Sequence, residues 1–191
     1  MQERRRALIE NVAQKRLWGI TVVIEDVHDP HNAAAIMRTC DGLGVQDVRF
    51  VFEKEKSYNP RRVGKASSSS ANKWLTCTTY HSTDACITAL RDEGYTSVVT
   101  ALIGATGTLE AYDFTAPEKV AIWVGNEHRG ISDTAREAAD AVLTIPMRGF
   151  VESFNVSVAM ALFLAEATRQ RQAIHYQGDD LSTLVEALAM R

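Results

Sequence analysis

Short apolar runs alternate along this chain with stretches whose apolar positions recur at helical spacing, and the two periods predict two kinds of element. Strands are expected at 20–25, 47–52, 75–79, 97–102, 120–124 and 141–145, and helices at 2–16, 32–43, 61–70, 83–93, 132–139, 153–171 and 180–189. Such alternation specifies an α/β architecture with a mainly parallel sheet flanked by helices. Ser82 and Ser132 stand where N-caps belong, and Asp180 can open the last helix. The 153–171 helix carries Val156, Val158, Ala159, Ala161, Leu162, Phe163, Leu164 and Ala165 around much of its circumference. A helix apolar on so many sides must be covered by more than one neighbour.

Composition narrows this picture. A length of 191 residues fits one ordinary domain with short extensions. With 46% hydrophobic and 24% charged residues the chain has a globular balance, and no stretch approaches the ~18 consecutive apolar residues of a membrane span. Met1-Gln2-Glu3-Arg4-Arg5-Arg6 has the charge of a secretion signal without the apolar run behind it, so a cytoplasmic location is expected. Cys40, Cys77 and Cys86 are odd in number and lack CxxC spacing, as expected of reduced thiols. The histidines lack HxxxH spacing, and no metal is expected even where His28 and His31 flank Pro30.

A net charge of -3 at first disfavours a nucleic-acid partner, but distribution matters more than the sum. Residues 1–16 set Arg4, Arg5, Arg6, Lys15 and Arg16 against Glu3 and Glu10, a local +3. Residues 53–73 set Lys54, Lys56, Arg61, Arg62, Lys65 and Lys73 against Glu53 and Glu55, a local +4. Two such patches suit a phosphate-rich substrate, and also two ordinary solvated faces. Between them in character lies Ser67-Ser68-Ser69-Ser70, which reads equally as a close-approach surface or a linker. Gly19 sets off a basic N-terminal helix (1–18), and the break Gln177-Gly178-Asp179-Asp180 sets a C-terminal helical extension (173–191) apart from the main domain (19–172).

Three segments carry candidate chemistry. His31-Asn32-Ala33-Ala34-Ala35-Ile36-Met37-Arg38 follows the first apolar run, and Ile122-Trp123-Val124-Gly125-Asn126-Glu127-His128-Arg129-Gly130-Ile131 is a strand running into a glycine-bounded loop. The third joins Ile145-Pro146-Met147-Arg148-Gly149 to Ser153-Phe154-Asn155-Val156-Ser157-Val158-Ala159-Met160-Ala161, a turn leading into a helix. Ser153 alone reads as an N-cap. Together and in order, the segments resemble the three signature motifs of the SPOUT superfamily of RNA methyltransferases, in particular its TrmH-type 2′-O-ribose branch, over roughly residues 20 to 172.

The resemblance implies a deep C-terminal trefoil knot, which nothing in local periodicity specifies. It also implies S-adenosylmethionine as cofactor, held by Thr100, Ala101, Leu102, Gly125, Ile145, Met147, Ser153 and Phe154, the last standing where the family usually has Leu. Arg38, six residues after Asn32, takes the position of the motif-one arginine that activates the ribose hydroxyl. Arginine keeps its proton, so stabilising the developing alkoxide or clamping the adjacent phosphate suits it better than general-base work. Asn32 would brace Arg38, Glu127 would support the RNA or its loop, and Ser153 with Asn155 would tie the third motif to the first. The branch is homodimeric, with Arg38 able to serve the other subunit's site, and its terminal helices contribute to RNA binding. Candidate RNA contacts are Arg4, Arg5, Arg6, Arg61, Arg62, Lys65, Lys73, Arg169 and Arg171.

The implied activity is 2′-O-methylation of tRNA, at guanosine 18 of the D-loop by the wording His28-Asp29-Pro30-His31-Asn32 and the terminal helices. In-line methyl transfer to a hydroxyl requires alignment and loss of a proton, with no metal or redox group. Methylation of another tRNA or rRNA nucleotide is the alternative within the class, and a noncatalytic RNA-binding module of the same fold is the alternative outside it. Retention of Asn32, Arg38, Glu127, Ser153 and Asn155 speaks against the module. A doubly wound nucleotide-binding enzyme would need a GxGxxG turn after its first strand, and none is present.

Overall fold

The computed structural model describes residues 2–60, 62 and 71–191. Of the expected 61–70 helix only Arg62 is described, in a turn, and the four-serine patch, Arg61 and Lys65 lie outside the described residues. The chain runs α1 (Gln2–Ala13), β1 (Leu17–Glu25), α2 (Pro30–Gly42), β2 (Val45–Val51), α3 (Ala71–Trp74), β3 (Thr76–Tyr80), α4 (Thr83–Asp92), β4 (Tyr95–Thr100) and β5 (Gly107–Thr108). It continues through a 3-10 turn (Leu109–Ala111), β6 (Lys119–Val124), α5 (Asp133–Ala138), β7 (Ala141–Thr144), α6 (Val156–Gln170) and α7 (Gly178–Ala189).

The strands form one sheet in the order β3-β2-β1-β6-β4-β7-β5, with every pair parallel. Strands covered on both faces read as continuous apolar runs, which is why β1 and β6 show no polar alternation. Their side chains nevertheless point to opposite layers. Val22, Ile24, Ile122 and Val124 pack with Ala33, Ile36 and Met37 of α2 and with Met160, Phe163 and Leu164 of α6. Val23, Ala121 and Trp123 pack with Cys86, Ile87 and Leu90 of α4 and Ala135 of α5. A separate small core joins Ile9 and Ala13 of α1 to Leu184 and Leu188 of α7, so the two terminal helices form a pair.

Boundary differences have local causes. The second helix starts at Pro30 rather than 32 because Asp29 caps it, its Oδ1 accepting from the His31 amide at 2.8 Å, and proline suits the first helical position. Ser82 and Ser132 cap α4 and α5 as expected. The 153–171 helix begins only at Val156, because Asn155 is the N-cap and accepts from the Ser157 amide at 2.9 Å. Ser153 therefore lies in the preceding loop. The last helix starts at Gly178 with Gln177 as its cap residue, ahead of Asp180. The fourth strand ends at Thr100, leaving Ala101 and Leu102 in the loop beyond it. The short β5 at the sheet edge was not expected from the pattern. No described helix is long and apolar enough to cross a membrane.

Candidate functional site

Parallel strands deliver their following loops to one edge of the sheet, and ligands of such sheets bind beyond the carboxyl ends. At the carboxyl ends of four adjacent strands, β1, β6, β4 and β7, lie Asn32 in the first turn of α2, Glu127, Thr100 to Leu102, and Ile145 to Asn155. A cavity of about 640 Å³ opens there. Thr100, Ala101, Leu102, Gly125, Ile145, Met147, Ser153 and Phe154 all line it, together with Glu127 and Asn155.

The loop after β6 closes tightly. Asn126 and Gly130 exchange backbone hydrogen bonds of 3.0 and 2.9 Å, and Asn126 Oδ1 accepts from the amides of His128 and Arg129. Gly125 lies under this turn, where a Cβ would come within 2.3 Å of the Gly130 carbonyl. Only glycine fits there without moving backbone.

From that loop a polar chain crosses all three motifs. The Glu127 carboxylate accepts from the amides of His28 (2.8 Å) and Asp29 (3.1 Å) and from Asn32 Nδ2 (2.7 Å). Asn155 Nδ2 in turn donates to Asn32 Oδ1 at 3.1 Å. Partial burial pushes the Glu127 carboxyl upward, but the bonds from Asn32 and the His28 and Asp29 amides outweigh it and hold the group below its ordinary range. Glu127 is thus an acceptor that fixes a loop. The expected tie between the third motif and the first is made by Asn155; Ser153 forms no side-chain hydrogen bond among the described residues and instead borders the cavity.

Arg38 stands apart. It is exposed on α2 and does not line the cavity. Asn32, expected to brace it, is committed to Glu127 and Asn155.

Among the expected RNA contacts, Arg4, Arg5 and Arg6 are exposed on α1, with Arg6 paired to Glu10 at 3.0 Å, and Arg62 and Lys73 are exposed. Arg169 is exposed and paired with Glu166 at 2.6 Å. Arg171 is a correction, because the structure buries it completely. Its Nη1 donates to the carbonyls of Phe114 and Pro117, and its Nη2 to those of Trp18, Gly19 and Glu118. Both Nη groups are taken by main-chain acceptors and the remaining Nε–H is buried, so no donor faces solvent for a phosphate. Arg16, counted in the N-terminal basic patch, is also buried and paired with Asp41. Sequence reasoning passed over Glu25, whose buried carboxylate accepts from Thr83 and Ser132 and so anchors the starts of α4 and α5 beside the cavity. A buried acid ending a central strand was its only signal.

Comparison with known proteins agrees with this geometry. Residues 19–165 match the model of the SpoU rRNA methylase family. A Thermus thermophilus relative named tRNA (guanosine(18)-2′-O)-methyltransferase is 37% identical over 172 residues, 88% of this chain and 84% of that one. The crystal structure of the A. aeolicus TrmH/SpoU tRNA modifying enzyme superposes with a TM-score of 0.87 at 27% identity, over 99% of this chain and 96% of that one. The Streptomyces viridochromogenes SpoU methyltransferase AviRb, crystallised with its cofactor AdoMet, superposes with a TM-score of 0.70 at 27% identity, over 85% and 64% of the two chains.

Proposed function

Because the chain belongs to the SpoU methylase family, matched over residues 19–165, we propose that it is an S-adenosylmethionine-dependent tRNA 2′-O-ribose methyltransferase acting on guanosine 18 of the D-loop. The observation that carries the proposal is the convergence, at the carboxyl ends of four neighbouring strands, of eight cavity-lining residues with the Glu127–Asn32–Asn155 chain. The relative named for guanosine 18 and the 0.87 superposition on a tRNA modifying enzyme support the choice of nucleotide and of tRNA.

The cavity suits the cofactor on its own terms. Its volume of about 640 Å³ is that of a small-molecule site, and Leu102, Ile145, Met147 and Phe154 supply apolar walls beside the strand-end backbone. When bound, the cofactor supplies a methyl group on a positively charged sulfur. The residues at 100–102, 145–147 and 153–154 hold it, and Gly125 keeps the Asn126–Gly130 turn tight against that space. Glu127, Asn32 and Asn155 lock the three loops in register, so that alignment is built in before substrate arrives. Arg38 would stabilise the ribose oxygen as its proton passes to a neighbouring phosphate or to water, or would clamp that phosphate.

The position of Arg38 outside its own chain's cavity is the reason to assign it to a partner's site in a homodimer. Val158 and Leu162 leave a stripe 45% and 38% exposed on α6, a face that a second copy would cover. RNA is held by Arg4, Arg5 and Arg6 on the α1–α7 pair and by Arg62 and Lys73, with Arg61 and Lys65 belonging to the same basic stretch of sequence. Arg169 adds a contact, bordering with Lys15 and His175 a groove of about 540 Å³. The division into a basic helix (1–18), a knotted catalytic unit (19–172) and a helical extension (173–191) follows this assignment, as does action in the cytoplasm without a metal.

Incubating the protein with unmodified total tRNA and labelled cofactor, then digesting the RNA, should place 2′-O-methylguanosine in the D-loop by mass spectrometry. A different 2′-O-methylated nucleoside would keep the mechanism and discard the site. Binding of tRNA without transfer would favour the noncatalytic module. Gly125→Ala should weaken cofactor binding about 10- to 100-fold by calorimetry, since forcing backbone to move costs about 1–3 kcal/mol. Unchanged affinity would mean that the Asn126–Gly130 turn does not shape the site.

A further inference from the structure

The loop following β2 holds a carboxylate that none of the three motifs contains. Asp26, at the end of β1, is the one non-glycine residue with positive φ among the described residues, at 48°. That costly conformation aims its carboxylate at three successive amides, accepting from Glu53 at 2.8 Å, Lys54 at 3.0 Å and Glu55 at 3.1 Å. The main chain at Glu55 is thereby fixed, and its side chain is 19% exposed. Glu55 Oε2 meets His28 Nδ1 at 3.0 Å, and Oε1 accepts from Arg129 Nη2 at 2.8 Å.

These two partners sit on the two loops that the catalytic chain joins. His28 is held at its main chain by Glu127 and at its ring by Glu55. Arg129 belongs to the turn that Gly125 underlies, and it lines the cavity. Asn126 is fastened from the same side, donating to the Asp26 carbonyl at 2.8 Å.

We infer that Glu55 is a positioning residue for the methyl-transfer site, a latch that grips His28 and Arg129 and so holds the 125–130 turn against the 28–32 turn in the shape that receives the cofactor. The inference rests on the proposed cofactor site and acts through Arg129 and His28. Exposed ion pairs contribute little to global stability, so the latch acts mainly on the local shape of the rim.

The latch has a sign with pH. The Glu55 bond and charge push His28 upward, Glu127 adds to this, and slight desolvation and Arg129 oppose it. The His128 ring stands 6.3 Å away, and Asp29 lies next in the chain, turned to the His31 amide. A histidine raised in this way contributes its charge fully below the ordinary value of 6.5 and loses it as pH rises through the higher folded value. Glu55, lowered by His28 and Arg129, contributes above the ordinary 4.5 and loses its part as pH falls through the lowered value. The latch is therefore strongest in mildly acid solution, between the ordinary values of 4.5 and 6.5, and weakens as pH rises through the raised His28 value.

Calorimetric titration of the intact protein with S-adenosylmethionine, with NMR titration of the His28 ring alongside, tests this. Glu55→Ala should weaken cofactor binding about 5- to 30-fold and raise the cofactor KM alike while kcat changes far less. In an Arg129→Ala background the same change should weaken binding by a smaller factor, because only the His28 contact remains to be lost. Glu55→Gln should lower the His28 midpoint and flatten the pH dependence of affinity. A lowered melting temperature with unchanged cofactor affinity would reduce Glu55 to a structural residue and overturn the inference, as would an unmoved His28 midpoint. Neither titration needs RNA, so failure to methylate tRNA would strike the substrate assignment and leave the latch to be judged by its own result.

Discussion

Arg38→Ala should lower the single-turnover rate of methyl transfer about 10²- to 10³-fold, the loss typical of removing one preorganised donor from a developing oxyanion. Cofactor affinity should stay within about twofold, because Arg38 acts on the ribose oxygen or the neighbouring phosphate and is not among the residues that hold the cofactor. Arg38→Lys should recover little, since an ammonium cannot replace a planar, two-pronged donor; a preserved rate would overturn the geometric role. Mixing subunits locates the residue. Combining Arg38→Ala with Gly125→Ala chains should restore transfer if each arginine serves the other subunit, because the mixed dimer then holds one intact cavity facing one intact arginine. If each arginine served its own cavity, both sites in the mixed dimer would be defective. No recovery on mixing would therefore return Arg38 to its own chain.

The elements that depend on local pattern were legible in the sequence. The apolar runs at Val22 to Ile24 and at Ile122 to Val124 are the central strands, and Ser82 and Ser132 cap the helices they precede. The candidate site was legible through the motif resemblance, and the parallel sheet explains physically why residues so far apart along the chain meet: it brings the ends of their strands together. The resemblance assigns Thr100 and Ser153 to one cofactor site, and both line the same cavity. Choices between competing local groups were less visible. Ser153 and Asn155 are both good caps, and the bond from Asn155 to Asn32, 123 residues away, helps place Asn155 at the helix start. Long-range polar pairing left no mark on periodicity. Asp26 in its strained conformation, and Glu55 reaching Arg129 across 74 residues, look like ordinary surface acids when read in sequence.

Arg171→Ala should destabilise the protein by about 3 kcal/mol or more, because it strands up to five buried carbonyls and empties the space of a large side chain. For a chain of this size that corresponds to a fall of roughly 6–12 °C in melting temperature. The site is built for the guanidinium: Gly19 adopts φ 70°, and a Cβ there would lie 2.8 Å from the Glu118 carbonyl and 3.0 Å from Arg171 Nη2. The charge finds no carboxylate among its partners, and burial pushes its pKa below the ordinary arginine value, yet carbonyl dipoles from β1 and the 114–118 segment converge on it. Arg169, two residues earlier on the same helix, points to solvent. Arg169→Ala should leave the melting temperature within about 1–2 °C while weakening tRNA binding and reducing the slope of log affinity against log salt by about one. Thermal unfolding and salt-dependent tRNA binding on the two variants therefore separate the arginines. If Arg171→Ala melted like the parent and lost the salt slope instead, its carbonyl cluster would not hold in solution and the residue would return to the RNA surface.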